Sequence, residues 1–310
     1  MRDYDKRMLK KISNGKVRKL YRCHECFTPR LLQLLFKWQG EGAVTLRLIN
    51  PNFRFAFLES DLLNEVLDML AGHFGEEEVY KIARNVERAS SSGYVAMLFA
   101  AEKWWMKPFS FLARYSFLMD YILETNMPLL GYGAGDTADK RLPVASLYAR
   151  HPYNKMLFQA DLEGVYLVIR EREVDAFCDT ISDDEEIYLY CADASTPRVP
   201  GIYKQFRVHT KPMVQVKDPY THQRCPKCGV PKPISVLWWD PRSGVIVNKD
   251  TRKRVVLWPC YALERLLGTL TVQLGEEAET LITNTVKRYQ KDSILSGGVG
   301  FTPEEKLEFV

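Results

Sequence analysis

The chain has 310 residues, 46% of them hydrophobic and 26% charged, a composition that excludes a disordered or fibrous protein and supplies a sizeable core. A net charge of +4 is too mild to demand a nucleic acid as partner. No apolar run approaches the roughly 18 residues of a membrane span, and seven cysteines with no apolar leader over Met1–Lys11 point to thiols held in a reducing cytoplasm.

Residues 4–12 read as a short amphipathic helix ending near Asn14-Gly15. The basic residues that follow one another from Arg2 to Arg22 read as a solvated face rather than a phosphate or RNA contact. Residues 30–38 suit either helix or strand, 43–49 alternate as a strand, and 53–58 form another. Asp61–Phe74 carries a helical stripe at Leu62, Leu63, Val66, Leu67 and Leu70. Gly75 ends it and Glu76–Ala89 resumes the same period. Ser90-Ser91-Ser92-Gly93 reads as a break or bend. Two further helical patterns run from Tyr94 to Trp105 and from Phe109 to Glu124.

The character changes at Met127. Gly131-Tyr132-Gly133-Ala134-Gly135 reads as a turn, since it lacks the Gly-Lys-Ser/Thr ending of a phosphate loop. Val144–Arg150 is a strand, Lys155–Ile169 a helix and Glu186–Ala192 a strand. Helices followed by mixed helix and strand make an α+β pattern. A connector spans 199–217, then short strands are expected over 234–239, 245–248 and 251–258. One long helix is expected over Tyr261–Gln290, with a bend at Gly275. No internal repeat is evident.

The chemistry-bearing pattern is a pair of Cys-x-x-Cys motifs, Cys23/Cys26 and Cys225/Cys228. Four thiolates are a usual ligand set for a closed tetrahedral zinc site, here a clamp tying the N-terminus to the C-terminal segment. Alternatives are a local site of Cys225 and Cys228 with His222 and Cys260, an iron or iron–sulfur centre, or unmetallated thiols. His73 reads as structural. His151 sits in a polar cluster with Arg150, Tyr153 and Asn154, where a tetrapyrrole would find an axial ligand. The aromatic belt containing Trp104, Trp105, Tyr115 and Tyr121 suits a core and the wall of an apolar pocket at once. No nucleophile–base motif is present, the acidic run 183–186 reads as a solvated loop, and no catalytic residue is assigned.

The middle region resembles the 4-vinyl-reductase-like small-molecule-binding domain over roughly 55–195. The residues that carry the likeness are Gly75-Glu76-Glu77, the small-residue segment around Gly93, Gly131-Tyr132-Gly133, the polar turn and helix from Asn154 to Ile169 with Gly164, and the stretch from Cys178 to Cys191. The resemblance implies an α+β module with a small-molecule pocket, often dimeric and often a sensor or accessory domain.

The expected organisation is thus an N-terminal arm over 1–54, a vinyl-reductase-like ligand-binding domain over 55–198, and a zinc-ribbon-like segment with a long helix over 199–310. The expected function is a cytoplasmic, zinc-stabilised protein that holds an apolar or aromatic small molecule. Trp104, Trp105, Tyr115, Tyr132, His151 and Tyr153 are its candidate ligand contacts, and a homodimer is its expected assembly. The competing readings are an enzyme or maturation factor acting on a hydrophobic or tetrapyrrole-like substrate, and a nucleic-acid adaptor.

Overall fold

The computed structural model describes residues 22–38, 44–46, 53–100, 127–139, 144–182, 186–193, 223–240 and 243–297, with isolated positions at 197, 199, 205 and 208. The helix expected over 4–12, the aromatic segment holding Trp104, Trp105 and Tyr115, and nearly all of the 199–217 connector lie outside them.

The architecture is α+β, built on two antiparallel sheets. The first helix, α1 (Arg30–Leu35), passes straight into β1 (Phe36–Trp38), so the ambiguous segment 30–38 is both. Then come β2 (Val44–Leu46), β3 (Arg54–Glu59), α2 (Ser60–Phe74) and α3 (Glu76–Ala100). After a 3-10 turn at Lys232–Val236, the C-terminal region repeats this order: β8 (Leu237–Asp240), β9 (Val245–Asn248), β10 (Arg254–Pro259), α6 (Cys260–Leu274) and α7 (Glu276–Gly297). The six strands form one sheet in the order β1-β2-β3-β10-β9-β8. The order is a palindrome. At its centre β3 and β10 pair antiparallel, with Phe57 opposite Leu257 in the middle of the register.

The sequence reading found no repeat, and the structure corrects it: the described segments 22–100 and 223–297 are copies related by a pseudo-two-fold axis through that central pair. The correspondence extends to details. Both α2 and α6 have 15 residues and end at a glycine of positive φ, Gly75 and Gly275. Both following helices open on a run of glutamates, 76–78 and 276–277. Arg22 donates to the Trp239 carbonyl, and its counterpart Arg224 donates to the Trp38 carbonyl at 3.1 Å. The halves also exchange helices, α2 packing on α7 and α3 on α6. His73–Glu277 at 2.9 Å and Arg288–Glu65 at 2.6 Å join α2 to α7 on the outside. Gly275 divides the single long helix expected over 261–290 into α6 and α7, because φ of +90° cannot continue a right-handed helix.

Between the copies sits an insertion: α4 (Met127–Leu130), β4 (Ala134–Asp139), β5 (Val144–Arg150), α5 (Lys155–Arg170), β6 (Val174–Ser182) and β7 (Glu186–Asp193). Its four strands form the second sheet, ordered β4-β5-β7-β6. Cys178 lies within β6. Asn154 caps α5, its side chain accepting from the Leu157 N–H at 2.9 Å.

α5 packs along α3, and here a second expectation fails. Ser90-Ser91-Ser92-Gly93 does not break the chain; α3 runs through it. Small residues end a helix when water competes for its backbone, but against another helix they permit close approach. Gly164 of α5 meets this segment so closely that a Cβ there would overlap Arg88 O and Ser92 N. Ser91 Oγ donates to Asp161 O at 2.8 Å and Ser92 Oγ to Gly164 O at 3.1 Å. Ion pairs flank the seam: Arg84 grips Glu163, with Nη2 to Oε1 at 2.5 Å, and Arg88 pairs with Glu173.

The insertion is fastened to the larger sheet by Arg254 of β10. Its guanidinium donates to Pro152 O at 3.1 Å, Gly131 O at 2.9 Å and His151 O at 2.5 Å. Gly131 packs against the Val255 carbonyl and Gly244 against the Gly133 backbone, contacts that leave no room for a Cβ. The glycine cluster is thus a turn pressed onto the sheet, as expected. No described helix is long and apolar enough to cross a membrane.

Candidate metal centre and buried cavity

Each cysteine pair folds into the same knuckle. In the first, Phe27 N–H donates to Cys23 O at 3.0 Å and Cys23 N–H to Thr28 O at 2.9 Å; in the second, Gly229 N–H donates to Cys225 O at 2.8 Å and Cys225 N–H to Val230 O at 2.9 Å. The turn needs a left-handed residue, which is Gly229 in one copy and Phe27, with φ of +58°, in the other.

The pseudo-two-fold axis brings the knuckles face to face. Cys23 Sγ lies 3.8 Å from Cys225 Sγ, and Cys26 Sγ lies 3.2 Å from Cys228 Sγ. All four sulfurs fall within 4.8 Å of one another. A metal–sulfur bond of about 2.3 Å in a regular tetrahedron gives sulfur–sulfur edges of about 3.8 Å, so the set fits a tetrahedral ion. The separations far exceed a disulfide bond, and all four thiols are free. Cys23 and Cys225 are buried, Cys26 and Cys228 half-buried. Burial pushes the Cys225 and Cys228 thiols up; at Cys23 burial is outweighed by backbone donors at Cys26 and Glu25 and by neighbouring thiols, which lower it to about 7. A cation would stabilise all four thiolates together. The expected juxtaposition of Cys23, Cys26, Cys225 and Cys228 is therefore present, and the local alternative with Cys260 is not: Cys260 opens α6 and lies outside this cluster.

A cavity opens where α3, α5 and α6 meet. Its empty space is about 550 Å³, counted to its open mouth. The apolar wall comes from Phe55 of β3, Val95 of α3, Met127 and Leu130 of α4, and Val165 of α5. Tyr94, Tyr132 and Tyr261 add aromatic rings with polar tips. Pro259 and Ala262 complete the apolar part, and the polar part is buried: Glu87, Ser90 and Ser91 from α3 and Asp161 from α5.

Glu87 and Asp161 form a carboxyl pair. Burial, then the charge and hydrogen bonding of Asp161, hold the Glu87 carboxyl well above its usual range. Burial pushes Asp161 up to about 6, and hydrogen bonds from Glu87 and Tyr153 limit the rise. The Tyr153 hydroxyl donates to Asp161 Oδ2 at 2.9 Å. The Trp258 indole lowers the Glu87 pKa slightly, yet Trp258 Nε1 and Glu87 Oε2 each lack a hydrogen-bond partner among the described residues. The two carboxyls thus keep their protons to higher pH together than either would in water. Burial also raises Tyr132, Tyr153 and Tyr261 well above the ordinary phenol value, so these hydroxyls stay neutral.

Of the residues expected to contact a ligand, Tyr132 lines the cavity. Tyr153 stands behind it, its ring 4.7 Å from that of Tyr132 and its hydroxyl on Asp161. His151 does not line the cavity; it occupies the turn after β5 with φ of +47°, its carbonyl held by Arg254. Trp104, Trp105 and Tyr115 fall outside the described residues. The sequence reading missed Glu87, Ser90 and Asp161. The available signal was an acid inside each buried stripe: Glu87 four residues after Ala83, and Asp161 four after Leu157 and four before Val165. No known protein family, curated protein or solved structure matches the chain.

Proposed function

We propose that the protein is a zinc-stabilised small-molecule-binding protein of the sensor or accessory kind, with a vinyl-reductase-like module over roughly 55–195. The observation that carries this reading is the cavity between α3, α5 and α6, which pairs an apolar, ring-rich wall with a few convergent polar groups, the usual make-up of a ligand pocket. The choice of zinc rests on the closed set of four cysteines, with Pro226 and Gly229 shaping the second knuckle. The metal holds the two copies in register, and the copies in turn hold α3 and α6 as two walls of the pocket.

Two measurements test this. Elemental analysis of protein purified without added metal should give about one zinc per chain and no visible absorption band; iron or a coloured cofactor would overturn the zinc assignment. A thermal-shift screen of small aromatic and aliphatic compounds should find occupants that raise the melting temperature of the parent, and Tyr132→Ala should lose that shift. If no compound stabilises the parent, the ligand-binding reading is wrong.

A further inference from the structure

The floor of the cavity carries more chemistry than an apolar occupant requires. Glu87 and Asp161 meet there from α3 and α5, and the groups acting most on them are each other, Tyr153, Ser91 and Trp258, all neutral or acidic. The cations on the same stretch of α3 are committed to other carboxylates, Arg84 to Glu163 and Arg88 to Glu173. Whatever negative charge this buried pair carries has no cation beside it, which is costly and calls for a counter-charge.

A second, independent observation points the same way. Glu87 and Ser90 are only 2% and 1% exposed and both line the cavity, yet Glu87 Oε2 and Ser90 Oγ have no hydrogen-bond partner among the described residues. The indole N–H of Trp258 stands beside Glu87 without closing a hydrogen bond to it, and Ser90 Oγ can accept as well as donate, so both oxygens keep acceptor capacity open to a ligand. An ammonium brings three donors, no acceptor and one positive charge. Phe55, Tyr94, Tyr132 and Tyr261 surround the same space, and aromatic faces attract cations. An anionic occupant would meet a like charge instead.

We propose that this cavity binds a small protonated amine on an aromatic or aliphatic body, with the ammonium seated among Asp161, Glu87 and Ser90. The inference rests on the small-molecule reading above and narrows the class of occupant.

Calorimetric titration of the full chain at pH 7 with benzylamine, benzyl alcohol and phenylacetate tests it. The expected order places benzylamine at least about tenfold tighter than benzyl alcohol, the minimum for a charge-assisted hydrogen bond in a buried site, with phenylacetate weakest. Asp161→Asn keeps the shape and removes the charge, so it should abolish the preference for the amine and leave benzyl alcohol affinity within about twofold. Glu87→Gln is the second variant, should Asp161→Asn fold poorly, and should also weaken amine binding. If benzyl alcohol binds as tightly as benzylamine and neither variant alters the ratio, the amine inference is overturned while the pocket reading survives. If none of the three binds and the thermal-shift screen is also blank, both readings fail together.

Discussion

A carboxyl buried beside another carboxyl keeps its proton to a higher pH in the folded chain than in the unfolded one. Asp161 moves from 3.8 to about 6, and Glu87 moves in the same direction. Their folded pKa values are raised, so the folded state takes up protons relative to the unfolded state. Their contribution to stability is fully present below about pH 4 and is lost as pH rises through about 6 and beyond. Denaturant melts of the ligand-free protein between pH 4 and pH 8 should show this decline superposed on the titration of other groups. In Asp161→Asn the decline should be shallower, because the amide has no proton to lose and still accepts from Tyr153. A parent and a variant with parallel stability profiles would mean that the pair is better solvated than its burial implies. These two acids were not legible as a pair in the sequence. Each is one charged residue in a helical pattern, and only the packing of α5 on α3 sets them face to face.

The α3–α5 seam shows how one residue type carries opposite meanings. Ser90-Ser91-Ser92-Gly93 suggests a break when read along the chain, since serine and glycine weaken an exposed helix. Against Gly164 the same residues let two helices approach and exchange serine hydroxyl bonds across the gap. Gly164→Ala should therefore destabilise the protein by about 1–3 kcal/mol, the cost of forcing a methyl into a filled contact, although alanine is the better helix former. A thermal melt checks the sign. A gain in stability would show that the helices can separate without loss. The periodic segments Asp61–Phe74, Glu76–Ala89 and Lys155–Ile169 were legible because a buried stripe at helical spacing survives any tertiary arrangement. Segment 30–38 was not, because helix and strand follow one another there within nine residues.

At the scale of the molecule, the duplication explains why cysteine pairs 202 residues apart reach one centre. Cys23 and Cys225 occupy equivalent places, so with the proposed zinc bound Cys23→Ser and Cys225→Ser should be equally harmful, each lowering stability by several kcal/mol. Chelation of the parent should mimic both. Unequal losses in paired melts would show that one knuckle holds its place without the metal. The cysteine motif was legible because ligand spacing is strict. The repeat that produces it was hidden, since only scattered positions agree, such as Arg54 with Arg254, Gly75 with Gly275 and Val86 with Val286. What the copies share is the order of their elements, which emerges only in three dimensions.

The central pairing of β3 with β10 also orders events during synthesis. The first copy leaves the ribosome long before the second, with the insertion between them. Until Arg254–Pro259 is made, β3 lacks its inner neighbour and the first knuckle holds only half of the four-cysteine cluster. Closing either contact means joining chain ends about two hundred residues apart, which favours slow folding. In that interval the partner each copy needs is also offered by any neighbouring chain at the same stage. Crowded translation therefore opens a route to dimers that exchange halves through the same seam and the same four cysteines.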